Sequence, residues 1–294
     1  MPKVSFFCIG AQKAGTTTIH SILKQHPKLC LPDIKETRFF DLDRKFKKGL
    51  DWYFSTFFKC DESSYLGEVA PEYLYYKQVP KRIYNAFGNG VKFILIVRDP
   101  VERAYSHYLM NVRRGYEKLT FEEAIQREIK ELNANHPYYQ RYNYLEKGMY
   151  YLNIQKYLDF FHKKNFIIFN FEYDLCLNIK KMIDKLFSFL DIPKYDLNLN
   201  ILKNEAYESK NKFIRDFIYK DNFAKKIIRC IIPDETFRYK LSKLLMNFNK
   251  KPLDKKKINV ELKEKLINEY FLDDIIKFEK LFEIDLHNWY SFDE

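Results

Sequence analysis

The chain has 294 residues, of which 46% are hydrophobic and 18% aromatic, with only 8 glycines. This composition excludes a disordered or collagen-like polypeptide and allows a sizeable core. The formal net charge is +11, but the lysines are scattered and not interleaved with aromatics in a recognised module. The charge therefore speaks for a polyanionic cofactor or acceptor more than for nucleic acid.

Five cysteines, Cys8, Cys30, Cys60, Cys176 and Cys230, are odd in number and far apart, with no C-x-x-C. That pattern predicts reduced thiols in a cytoplasmic protein rather than a disulfide framework or a zinc cluster. The longest apolar runs fall well short of the roughly 20 residues a membrane helix needs, and the N-terminal run is too short for a signal peptide. A soluble chain without membrane insertion is expected.

In chain order, "VSFFCIG" at 4–10 predicts a buried strand followed by a helix over 16–25. "YLGEV" at 65–69 predicts a second strand before a tyrosine-rich helical stretch, and "KFILIV" at 92–97 a third before a helix over 100–113. "TFEE" at 120–123 is a capping box opening a helix with Phe121, Ala124, Ile125, Ile129 and Leu132 on one side. "NFIIFNF" at 165–171 predicts a fourth strand, and Ile179, Met182, Ile183, Leu186, Phe187 and Leu190 form a helical core stripe before Pro193. From about 200 the chain reads as helical and lysine-rich, covering the sheet. Continuous apolar runs alternating with helices indicate parallel strands with crossovers. The expectation is a P-loop-like, three-layer α/β/α fold with a central parallel sheet, one domain over 1–294 with a helical C-terminal part.

The stretch "FFCIGAQKAGTTTI" at 6–19 joins a strand to a helix through a glycine-containing turn, which aims backbone N–H groups and a helix dipole at one spot. Gly10 and Gly15 have the spacing of the G-x-x-x-x-G-K-[ST] phosphate loop, but Thr16 stands where that motif has lysine, and Lys13 lies inside the turn. Triphosphate chemistry also needs Mg²⁺ held by a strand-end Asp. "KFILIV" ends in Arg98-Asp99-Pro100, with a cation where a metal would sit. A P-loop kinase or NTPase is the alternative this leaves open, and a nucleic-acid-binding protein is a further alternative motivated only by charge.

"GAQKAGTTTI", "QHPKL", "KETRFF", "GEVAPEYL" and "FILIVRDPVERAYSHY", in that order, resemble the sulfotransferases that use 3′-phosphoadenosine-5′-phosphosulfate (PAPS), in their bacterial and heparan-sulfate-type branch. "GMYYLNIQKYLDFF", "IIFNFEYDL" and "FEKLFEIDLHNW" extend the resemblance over nearly the whole chain. The resemblance implies that Gln12, Lys13, Ala14, Gly15, Thr16, Thr17 and Thr18 wrap the 5′-phosphosulfate, without a metal, and that Lys13 stabilises the leaving phosphate. It implies that Arg98 and Ser106, with the product nucleotide PAP as with the donor, hold the 3′-phosphate. Arg103 and Arg113 are further candidates there.

By the same resemblance Glu68 is the catalytic base, with Glu72 as a weaker candidate. Lys35, beside Glu36, steadies developing charge on the sulfuryl oxygens. Gly148 and Tyr150 match a G-x-Y element that positions a helix near the cofactor. The wider superfamily uses a histidine base, but none of the six histidines carries a partner pattern that displaces Glu68. The glycine-lysine loop some sulfotransferases close over the 3′-phosphate is not evident, and Lys210, Lys212 or Arg215 would replace it. The implied acceptor is a hydroxyl of a sugar or another small metabolite, with an amine left open.

Overall fold

The computed structural model describes residues 3–59, 65–131, 139–200, 207–220, 235–252 and 257–292, together with 225, 228, 231 and 232. Strands β1 (Val4–Gly10), β2 (Leu29–Cys30), β3 (Tyr65–Val69), β4 (Lys92–Val97) and β5 (Phe166–Asn170) form one parallel sheet in the order β2-β3-β1-β4-β5. Every residue of β1 except Ser5, and every residue of β4 except Lys92, is buried. Helices cover both faces of such a sheet, so its strands read as unbroken apolar runs. The four strands expected from the sequence are all present. The two-residue edge strand β2 was not among them, because Leu29 and Cys30 alone make no run.

β1 lies between β3 and β4, so chain connections leave it in opposite directions. In open α/β sheets such a switch point leaves a crevice beyond the carboxyl ends of the strands. The register places Phe7 beside Glu68 on one side and Phe93 on the other. Phe7 packs edge-on to Phe40 at 5.6 Å and Phe93 stacks on Phe166 at 4.9 Å, so aromatic rings fill much of the core around these strands.

The chain divides into two compact units. The first, Met1–Ala104, Leu145–Lys203 and Asn259–Glu294, contains the sheet. In it the helix Leu272–Phe282 buries Ile275 and Phe278, with Phe278 5.9 Å from Tyr150. The same helix sends Asp274 to accept from the N–H groups of Tyr151 and Leu152, both at 2.9 Å, capping the helix Tyr150–Leu158. The helix Ile179–Leu190 buries Met182, Ile183, Leu186, Phe187 and Leu190, the stripe read from the sequence.

The second unit is Tyr105–Tyr144 with Asn204–Ile258. Its helix Phe121–Glu131 opens on the expected capping box: Thr120 N–H donates to Glu123 Oε2 at 2.8 Å, and Glu123 N–H donates to Thr120 Oγ1 at 3.3 Å. Phe121, Ala124 and Ile125 are buried there, Ile129 is exposed, and Leu132 lies outside the described residues. The unit also holds an antiparallel pair, β6 (Tyr207–Ser209) with β7 (Lys250–Pro252), and the helices Lys212–Tyr219 and Glu235–Phe248. Of the last third, 259–294 belongs to the unit that contains the sheet, whereas 204–258 clusters with 105–144.

Cys8 is a buried free thiol, but Cys30 is disulfide-bonded. The expectation of reduced cysteines fails at that position, and with it the cysteine argument for a cytoplasmic setting, since disulfides persist where the surroundings are oxidising. No helix among the described residues is long and apolar enough to cross a membrane.

Candidate active site

The site is assembled at the carboxyl ends of β3, β1 and β4. Beyond β1 the loop turns through Lys13, at φ 75°, and Gly15, at φ 81°, before the helix Thr16–Leu23 begins. Left-handed backbone suits Gly15, and a Cβ there would come within 2.2 Å of Leu175 Cδ2. Among the described residues no side chain caps this helix, so its N–H groups and dipole face the turn. Ala14 and Thr16 are buried, Gln12, Gly15 and Thr18 half-buried, and Thr17 exposed.

Arg98 follows β4, the neighbour of β1, and its Nη1 donates to the Lys13 carbonyl at 3.0 Å. The guanidinium lies 4.7 Å from the Phe171 ring centroid, 3.4 Å from Glu102 and 3.8 Å from Glu172. Its Nε is buried without a hydrogen-bond partner. The Tyr150 hydroxyl holds the Arg98 backbone from both sides, accepting from its N–H at 3.2 Å and donating to its carbonyl at 2.7 Å. Burial pushes the Tyr150 phenol far up, so it stays a donor. Gly148 lies close beneath the next helix, where a Cβ would be 3.2 Å from Pro100. The G-x-Y element therefore braces the end of β4.

Asp99, the strand-end acid a metal-dependent kinase would use, is otherwise engaged. It accepts from Val101 and Glu102 N–H at 2.9 and 3.0 Å, capping the helix Pro100–Arg114, and pairs with Lys263 at 2.6 Å. Ser106 is half-buried on that same helix and belongs to the second unit, as do Arg113, Lys210, Lys212 and Arg215. Arg215 is taken up by Asp216 at 2.6 Å. Arg103 is fully buried in the first unit.

The β3 side differs most from the sequence expectation. Glu68 is fully buried. Its Oε1 accepts from Thr37 N–H at 3.1 Å, Thr37 Oγ1 at 2.6 Å and Tyr73 OH at 3.1 Å, and its Oε2 accepts from Tyr53 OH at 2.7 Å. A base must reach the proton it removes, and Glu68 is enclosed by its own donors. Glu36 is the carboxylate that reaches solvent here: its side chain is 34% exposed and pairs with Lys35 at 2.5 Å. Its N–H donates to the Val69 carbonyl at 3.2 Å, at the very end of β3. Glu36 and Arg38 both have left-handed φ, 67° and 59°, and Thr37 between them is the residue Glu68 grips. Glu68 thus fixes from inside the turn that presents Glu36 outside.

Burial raises the Glu68 carboxyl to about 7 from 4.5, against the lowering effect of the Thr37, Tyr53 and Tyr73 hydrogen bonds. The folded state therefore binds this proton more tightly than the unfolded chain. Stability from this group is full below pH 4.5 and is lost as pH rises toward about 7. The loss is expected to be about 3 kcal/mol. Melting temperatures followed from pH 4.5 to 8 should show this fall in the wild type and a much flatter profile in Glu68→Gln; equal profiles would refute the assignment.

Glu72 is buried behind the loop, accepting from the Gln12 side-chain amide and from Lys147 Nζ at 2.9 and 3.3 Å. Of the histidines, His26 hydrogen-bonds the Pro193 carbonyl at 2.9 Å and packs edge-on to Phe187, and His20 faces the Pro32 carbonyl at 3.4 Å. His107 packs on Tyr144 in the second unit, and His136 lies outside the described residues.

The site thus combines a phosphate-type loop, an arginine that grips it from beyond the adjacent strand, and a carboxylate-lysine pair at the end of β3. A family model described as "Sulfotransferase domain" matches residues 4–232. The chain belongs to the sulfotransferase family. Mouse heparan sulfate glucosamine 3-O-sulfotransferase 5 is 30% identical over 166 residues, 54% of this chain and 45% of that protein. Mouse heparan sulfate glucosamine 3-O-sulfotransferase 3A1 is 35% identical over 118 residues, 38% of this chain and 29% of its own length. The chain thus spans under half the length of these curated relatives. A sulfotransferase structure from Alicyclobacillus acidocaldarius superposes with a TM-score of 0.68 at 22% identity, covering 98% of this chain and 99% of that one.

In this sulfotransferase-family chain the structure brings Arg98 onto the Lys13 loop and Lys35 beside Glu36 at the end of β3. The contact of Lys147 with Glu72 has no counterpart in the sequence reading. The signal for Glu36 was present in "KETRFF", but only the tertiary structure reveals which of the two nearby carboxylates is outside.

Proposed function

We propose that the protein transfers the sulfuryl group of PAPS to a hydroxyl, with a carbohydrate as the preferred acceptor class. The observation that carries this is the Arg98–Lys13 contact, which joins a cation on β4 to a phosphate-type loop on β1 while Asp99 is engaged elsewhere. The donor's fit rests on the donor set: helix N–H groups and Thr16 to Thr18 around one anion, and for another a guanidinium whose buried Nε makes no hydrogen bond and stands 3.8 Å from Glu172. When bound, PAPS supplies a sulfuryl group already joined to a phosphate leaving group.

In this reading Lys13 stabilises the negative charge that gathers on the leaving phosphate, and Lys35 that on the sulfuryl oxygens. Glu36, rather than Glu68, takes the proton from the attacking hydroxyl, because it is the partly exposed carboxylate on the turn that is hydrogen-bonded to the end of β3. Glu68 holds the Thr37 turn. Arg98 holds the 3′-phosphate. The carbohydrate acceptor is favoured by the kinship with heparan sulfate sulfotransferases and by the +11 charge.

The test is transfer of label from [³⁵S]PAPS to a panel of sulfated and unsulfated oligosaccharides and small hydroxyl metabolites, run without added divalent metal. Labelled oligosaccharide is expected, together with calorimetric binding of the desulfated product PAP. Turnover of ATP with Mg²⁺ and no binding of PAP would overturn the proposal in favour of a kinase or NTPase.

A further inference from the structure

Lys13 has a left-handed backbone, φ 75°. A residue with a side chain adopts that conformation only where its surroundings hold it there. Two contacts grip the loop around it. Arg98 binds the Lys13 carbonyl from the β4 side, and Glu72 accepts a hydrogen bond from the side-chain amide of Gln12, the residue before it. Glu72 in turn is locked to Lys147, with Nζ 2.9 and 3.3 Å from its two oxygens. The exposures of these two side chains are 9% and 5%, so the pair is removed from water.

Such a pair is costly to bury and is weak evidence of stability by itself. Burial lowers the Lys147 ammonium below its ordinary value, while Glu72 works to raise it. Arg103 and Arg38 also act on Lys147, both lowering it. Lys147 therefore sits among cations with Glu72 as the carboxylate that offsets them, and that same carboxylate reaches the loop. Lys147 also immediately precedes Gly148, and Tyr150, three residues on, grips the Arg98 backbone. Both grips on Lys13 thus trace back to the turn at 147–150.

We propose that Glu72 and Lys147 are positioning residues. Glu72, oriented by Lys147, holds Gln12 so that Lys13 keeps its left-handed conformation and its ammonium stays aimed at the leaving group. This rests on the role given to Lys13 above. It also reassigns Glu72, expected as a second-choice base, to a post behind the loop.

Two double variants separate positioning from a merely structural role. Glu72→Gln/Lys147→Met removes both charges and keeps an oxygen that can accept from Gln12. Glu72→Leu/Lys147→Met also removes both charges, but leaves Gln12 without an acceptor. Replacing a buried ion pair by apolar groups commonly preserves stability, so both are expected to melt near the wild type. Amide hydrogen exchange over residues 11–16, measured without nucleotide, is expected to rise only slightly in the Gln/Met variant, which keeps the acceptor for Gln12 but not the lysine that orients it. In the Leu/Met variant it should be about tenfold or more faster, the effect of losing a hydrogen bond to a charged group. PAP affinity by calorimetry should fall several-fold in the Leu/Met variant only, and kcat should fall more than the donor KM rises.

Equal loop exchange in the two double variants would overturn the strap even if PAP binds well. Wild-type protein that fails to bind PAP would instead overturn the PAPS reading and leave the exchange result standing. If the Leu/Met variant does not fold, Gln12→Leu supplies the same comparison with the ion pair intact, and unchanged loop exchange there would count against the proposal.

Discussion

Glu36→Gln is expected to lower kcat by about 10²- to 10⁴-fold, the range for removing a general base, while PAP affinity stays within a few-fold of wild type. Glu68→Gln is expected to cost far less. Its amide can still accept from Thr37 and can donate to the tyrosine hydroxyls, so the turn that carries Glu36 is largely kept. The two variants alter carboxylates attached to the same turn, one inside and one outside. Single-turnover transfer with labelled PAPS decides between them. If Glu68→Gln is the dead variant and Glu36→Gln keeps full rate, the base lies in the interior and the turn must open for each catalytic cycle.

Glu36 and Glu68 also mark where legibility in the sequence ends. β1 and β4 could be read directly because strands buried on both faces need unbroken apolar runs, and the loop could be read because Gly10, Lys13 and Gly15 fall within a single turn. Arg98 was accessible as the residue closing an apolar strand. Glu68 stood out through the family resemblance, together with its place near the end of "YLGEV". What encloses it is Thr37, Tyr53 and Tyr73, which converge on it from three separate segments. The Gln12–Glu72–Lys147 contact spans 60 and 75 residues of chain, with no local periodicity to signal it. Local pattern thus specified the elements and the turn between β1 and its helix, whereas exposure and long-range pairing, which separate Glu36 from Glu68, are set by the tertiary structure.

Arg98→Ala is expected to weaken PAP binding by about 10²-fold or more, the loss of charge-assisted hydrogen bonds to a phosphate. The deficit should be larger than the arginine's own contacts alone suggest. Glu102 and Glu172 stand 3.4 and 3.8 Å from the guanidinium, and without it they would face an incoming dianion unscreened. Burial already raises the Glu172 carboxyl above its ordinary value, with Arg98 pulling it back down. Removing Arg98 should therefore let Glu172 hold a proton to higher pH, and residual PAP binding should improve as pH falls. The control is a nucleotide without the 3′-phosphate. Arg98 also steadies the Lys13 carbonyl, so binding of AMP should drop modestly through the loop, while the PAP-to-AMP preference should collapse. Arg98→Lys keeps the charge but not the planar fork, and should recover only part of that preference. A variant that binds PAP and AMP with the wild-type ratio would remove Arg98 from the 3′-phosphate and leave it as a brace for the loop alone.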